Sequence, residues 1–163
     1  MYCLPIHDPK RSDAAMVVCV THGSAIRFMA EQIFTTVADE LLYLNDMNTS
    51  GRTSNLDQIS SLMEPYPLIY IGFPIRWGRP VALARSLLDR VGRQWGAQKK
   101  YALFGDYLWL SGKALPRAAA ILDAGNPAGY LILRRPLQGD ERWCARTIRT
   151  WARETLGRTL QVA

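Results

Sequence analysis

Five short apolar runs, each followed by a segment of helical periodicity or a turn leading into one, constrain this chain more than any other feature. They are residues 15–20 (AMVVCV), 40–44 (ELLYL), 68–71 (LIYI), 101–104 (YALF) and 129–133 (GYLIL). The third carries apolar residues on both faces without alternation, the pattern of a strand buried in a parallel sheet with helices on both sides. Strands alternating with helices imply an α/β sandwich, and right-handed crossovers leave few ways to order the strands. The expectation is a five-stranded parallel sheet of order 2-1-3-4-5, with ligands held at the carboxyl edge beside the first and third strands.

The helical segments follow from their spacing. Ile26, Met29, Ala30, Ile33 and Val37 recur at steps of three and four, with Thr21 and Ser24 as candidate caps. Residues 45–55 read as a loop, and 56–63 as a short helix capped by Asn55 or Asp57. Ala84, Leu87, Leu88, Val91 and Trp95 trace one face of a helix with Pro80 in its first turn, weakened and ended by Gly92 and Gly96. A fourth helix is expected over 114–123. A fifth is expected over 140–156, with Cys144, Ile148, Trp151 and Thr155 turned inward. On that last helix Arg142, Arg146, Arg149 and Arg153 form a basic stripe, read either as a solvated face or as a docking surface for an acidic partner.

With 163 residues, 48% hydrophobic and 21% charged, the chain matches an ordinary globular protein of one domain. Residues 1–15 read as a lead-in and 16–163 as the domain. No apolar stretch approaches the ~20 residues of a membrane span, and the amino-terminal sequence lacks a secretory pattern, so a cytoplasmic protein is expected. Cys3, Cys19 and Cys144 lack the spacing of a zinc site or a disulfide framework, and His7 and His22 complete no metal constellation. The net charge of +6 allows an acidic partner. Nucleic acid is disfavoured because the basic residues are scattered and accompany no recognition motif.

Three loops would converge on the carboxyl edge. Thr21, His22, Gly23, Ser24 and Ala25 form a tight turn into the first helix, offering backbone N–H groups to an anion. After the third strand, a loop over 72–80 presents Pro74, Ile75, Arg76, Trp77 and Gly78. After the fourth, Gly105, Asp106, Tyr107 and Trp109 form a second aromatic loop. The two tryptophans read either as ligand-stacking faces or as a plug over the core.

THGSAIRFMAEQI after the first strand resembles the phosphate-binding turn and first helix of flavodoxins. IGFPIRWGRPVALARSLLD resembles the third strand, flavin-contacting loop and helix of flavodoxin-domain proteins, and FGDYLWLSG is similar to their loop after the fourth strand. The Ile75-Arg76-Trp77-Gly78 tetrapeptide is also similar to one in flavodoxin-type protoporphyrinogen oxidases. The resemblance implies a flavodoxin-like three-layer sandwich binding flavin mononucleotide (FMN). It implies phosphate at the amino end of the first helix, helped by Thr21 and Ser24. The flavin ring would lie between Trp77 and either Tyr107 or Trp109, and backbone amides near Gly78 and Gly105 would bond its polar edge.

The same resemblance gives Arg76 the task of stabilising a reduced anionic flavin or gripping an acidic substrate. His22 could contact the phosphate, and Asp106 could take a proton or cap the turn that follows it. The phosphate turn departs from the family pattern at Ala25-Ile26, where a last hydroxyl is missing, a loss of about 1 kcal/mol. Flavodoxins are typically acidic and this chain is basic. Two readings follow: an FMN-dependent redox protein serving a redox partner or a small aromatic substrate, or a flavin-free module of the same fold that recognises an acidic partner.

Overall fold

The computed structural model describes residues 15–20, 23–45, 52–122, 127–134 and 141–161; of the expected lead-in over 1–15, all but Ala15, the first residue of a strand, lies outside them. In chain order the elements are β1 (Ala15–Val20), α1 (Ser24–Val37), β2 (Glu40–Leu44), α2 (Arg52–Leu62), β3 (Leu68–Arg76) and β4 (Arg79–Pro80). They continue with α3 (Ala82–Gln94), a single 3-10 turn (Gly96–Gln98), β5 (Lys100–Tyr107), α4 (Ala114–Ile121), β6 (Gly129–Arg134) and α5 (Glu141–Gln161). Strands β2-β1-β3-β5-β6 pair in parallel in that order, and β4 folds back antiparallel on β3. Without the short β4, this is the expected 2-1-3-4-5 sheet. Among the described residues no helix is long and apolar enough to cross a membrane.

Alternation of side chains along each strand divides the core in two. Met16, Val18, Ile69, Ile71, Phe73 and Leu103 face α2, α3 and α4, burying Leu87, Leu88 and Val91 of α3. Val17, Cys19, Tyr70 and Phe104 face α1 and α5, against Ile26, Met29, Ile33, Ile148 and Ala152. Tyr70 crosses this second layer and donates its hydroxyl to the Ala152 carbonyl at 2.8 Å. Cys19 and Cys144 are buried free thiols, and burial pushes the Cys19 thiol up beyond its ordinary range. Lys99 is also buried: its Nζ donates to the carbonyls of Glu64 and Tyr66, both at 2.9 Å, and burial lowers its pKa.

Several local expectations are corrected. Helix α2 begins at Arg52, so Asn55 and Asp57 lie inside it and not at its cap position. Pro80 belongs to β4, and Gly92 lies within α3. Helix α5 runs to Gln161 because Ala152 and Thr155 keep its inner face buried.

The largest corrections are at the carboxyl edge. β3 continues to Arg76 and β5 to Tyr107, through the Phe73–Gly105, Pro74–Asp106 and Ile75–Tyr107 pairs. The loop expected from residue 72 therefore shrinks to the tip of a hairpin. Pro74 is tolerated here because the β1 pairing stops at Gly72, so the missing N–H falls where β3 has lost one neighbour. Its carbonyl accepts the Val81 N–H at 3.4 Å.

Candidate functional site

The turn after β1 leads straight into the 14-residue α1. Gly23 is its N-cap, in extended backbone, and no side chain among the described residues caps the helix; Ser24 is the first helical residue and not the cap. The first turn holds no acidic residue. Its leading N–H groups have no intrahelical acceptor, and a Cβ added at Gly23 would meet nothing within 4 Å. Ser24 is exposed, while Ala25 packs inward. Such an end accepts an anion by backbone donation and helix dipole. Thr21 and His22 lie outside the described residues.

The β3 hairpin is built differently. Arg76 pairs with Arg79 across a two-residue turn. Both turn residues have positive φ, Trp77 at 52° and Gly78 at 71°, which the right-handed twist of a hairpin favours. Gly78 adopts this freely. Trp77 does so against its Cβ, at about 1–2 kcal/mol, and its ring stands 79% exposed. The tip is clasped by its neighbours. The Gly78 N–H donates to the Leu110 carbonyl at 3.0 Å, and Arg117 Nη1 donates to the Gly78 carbonyl at 3.3 Å. A Cβ added at Gly78 would lie 3.3 Å from the Gly112 Cα, itself in a positive-φ turn.

The clasp joins the tip to the segment after β5, where Trp109 is 75% exposed and Leu110 55% exposed. Two tryptophans on adjoining loops thus present flat faces to solvent at one sheet edge. Tyr107, the alternative to Trp109, packs against the α3 and α4 side of the core. Gly105 and Asp106 are strand residues: Gly105 is paired between Phe73 and Ile132, so it is not a loop amide. Asp106 is only 1% exposed. It shares the face of Phe104, and its charge helps push the Cys19 thiol up. Ile75 and Pro74 are buried in β3, leaving Arg76 and Trp77 as the exposed members of that segment.

Sequence reasoning missed the clasp. Gly112 was visible as a second loop glycine, but nothing local marks Arg117, one turn into α4, as the donor to a hairpin 39 positions earlier. It also missed the depression of about 500 Å³ beside the hairpin, lined by Arg76, Trp77, Arg79, Pro80, Val81, Ala82 and Arg85. Among the described residues, no group of three His, Cys, Asp or Glu side chains is placed to hold a metal.

No family model matches the chain, and neither does the sequence of any curated protein. Solved structures do match in shape. The rubredoxin oxygen:oxidoreductase of Desulfovibrio gigas aligns with a TM-score of 0.69 over 93% of this chain at 14% identity, and this chain spans 38% of it. A flavodoxin, WrbA-like protein from Agrobacterium tumefaciens aligns with a TM-score of 0.65 at 14% identity, over 92% of this chain and 99% of its own. An archaeal flavodoxin aligns at 0.56 and 18% identity, over 86% and 98%. The fold is flavodoxin-like.

Proposed function

We propose that this chain is an FMN-binding redox protein, working by electron transfer or by flavin-dependent oxidoreduction of a small substrate. The observation that carries the reading is one sheet edge holding both a helix amino end with no side-chain cap among the described residues and two tryptophans at least three-quarters exposed. The residues fit the group. The first turn of α1, with Gly23, Ser24 and Ala25, would hold the phosphate through backbone N–H groups. Trp77 and Trp109 would cover the ring. When bound, FMN supplies the electron chemistry, and the protein sets its environment.

The chain's own residues then have separable tasks. Gly78 and Arg117 fix the height of the Trp77 ring, because both hydrogen bonds end on the tip residue that follows it. Arg76, exposed beside Trp77, would balance negative charge on a reduced ring or on an acidic substrate. A cytoplasmic setting suits the buried free thiols.

The test is a visible absorption spectrum of the purified protein, followed by titration of colourless protein with FMN while its fluorescence is read. Flavin bands, or quenching at micromolar FMN, are expected. No binding at roughly 100 μM, where a site of about 5 kcal/mol begins to fill, would leave the flavin-free module as the reading. A specific observation bears on that second reading: Arg149 of the α5 stripe donates to Gln32 Oε1 of α1 at 2.8 Å, and so ties two helices together.

A further inference from the structure

The hairpin that carries Trp77 also concentrates positive charge. Arg76 and Arg79 are directly opposed across the turn, an arrangement in which like charges destabilise a strand pair. Arg85, one turn into α3, lines the same depression. All three are exposed, and none makes an ion pair with a described carboxylate, whereas Arg90 and Arg93 of α3 pair with Asp57 and Asp89 at 2.6 Å each. No acidic residue occupies the first turn of α3. The fold thus gathers three guanidinium groups around one concavity, with no counter-charge among the described residues.

We propose that this arginine-lined depression is a docking site for a carboxylate-rich segment of a partner protein. Planar guanidinium groups bind carboxylates by paired hydrogen bonds, and bound carboxylates would remove the Arg76–Arg79 repulsion. The site is concave, about 500 Å³ and lined by side chains from β3, β4 and α3. Projecting acidic side chains enter such a shape, and the flat surface of a bilayer does not. Trp77 on its rim supplies the large, rigid apolar face that anchors protein interfaces. The proposal rests on the redox reading, in which a partner docked here would meet the flavin's exposed edge. It also reverses the polarity expected of an acidic carrier.

The experiment uses the full chain, an octaglutamate peptide and calorimetric titration at about 50 mM salt, where surface charges are weakly screened. Two variants remove equal charge: Arg79→Gln with Arg85→Gln at the depression, and Arg146→Gln with Arg153→Gln on α5. The first pair is expected to weaken peptide binding about tenfold, as loss of two charge-assisted contacts implies. The second pair is expected to leave it within about twofold. Equal losses in both would mean attraction to net charge alone and would overturn the proposal. Binding of free glutarate as tight as the peptide would overturn it in favour of a small-anion site. Capture on phosphatidylserine vesicles, lost in the first variant while the peptide fails to bind, would overturn it in favour of a membrane. FMN titration of the same wild-type protein separates the two claims. FMN bound without peptide removes the docking site alone; peptide bound with the expected variant pattern but without FMN supports docking and removes the redox reading.

Discussion

The two junctions that feed the carboxyl edge solve opposite problems. After β1, the chain passes through Gly23 into α1, with no side chain among the described residues capping the helix's backbone donors. After β3, it extends the sheet, reverses at Trp77 and Gly78, and returns as β4 before entering α3. The first junction meets its helix at Gly23 in extended backbone and offers fixed dipoles. The second holds a tryptophan in a disfavoured conformation, opposes two arginines, and needs Leu110, Gly112 and Arg117 to keep its shape. On the proposed FMN reading, the difference is a division of labour at one edge: an anion needs only well-placed N–H groups, whereas a flat ring needs a side chain that the backbone would not otherwise display.

Both junctions depend on the central strand, so the largest effect should come from disturbing it beneath them. A Cβ at Gly72 would overlap the ring of Phe104. Gly72→Val should lower stability by about 2–3 kcal/mol and impair both junctions together. Denaturant unfolding measures this, and Gly72→Val combined with Phe104→Leu should recover part of the loss. A silent Gly72→Val would mean that the junctions do not share this support.

The next test separates the junctions. Trp77→Asn installs the residue pair that positive-φ hairpins prefer, so stability should rise by about 0.5–1 kcal/mol. FMN affinity should fall at least about tenfold with the stacking face gone. Thermal melts and fluorescence titration read the two separately. Unchanged affinity would remove Trp77 from the ring site.

At the other junction the signs should also divide, with smaller amplitude. Ser24→Asp places a carboxylate on the first turn of α1, which should stabilise the free protein by about 0.3–1 kcal/mol. The same charge should repel a phosphate and weaken FMN binding several-fold. Affinity for riboflavin, which lacks the phosphate, should stay near its wild-type value. Equal effects on both ligands would place the phosphate elsewhere.

The smallest effect should report the framework and neither junction. Tyr101 is buried at the start of β5, its hydroxyl has no hydrogen-bond partner among the described residues, and burial pushes its pKa up to about 12. The unfolded phenol ionises near 10, so between 10 and about 12 the native state holds the extra proton. Stability therefore falls as pH rises through that window. Tyr101→Phe should remove this contribution to the alkaline loss and gain about 1 kcal/mol at neutral pH. FMN titration should be unmoved.

Sequence patterns went far on the scaffold. The apolar spacing of Ile26, Met29, Ala30 and Ile33, and of Ala84, Leu87, Leu88 and Val91, identified the buried helix faces. The apolar runs located all five parallel strands. At the candidate site the local signals were weaker. Trp77 and Trp109 are exposed, but Tyr107 packs half-buried against the core and Asp106 is buried in a strand. Glycine and proline suggested a loop at 72–80 because each weakens a strand in isolation. Pairing with β5 supplied the missing support.

By itself, then, the sequence determined the order of strands and helices and the faces they bury, because both follow from residue periodicity within single elements. It also determined the basic balance and the aromatic content of the edge loops. Only the tertiary structure decided how far β3 and β5 extend, which aromatic remains open, and that Arg117 holds the tip bearing Trp77. Those outcomes depend on pairings between residues far apart in sequence, such as Ile75 with Tyr107 and Gly78 with Leu110. A strand ends where its last neighbour stops offering hydrogen bonds, and no local propensity encodes where that neighbour lies.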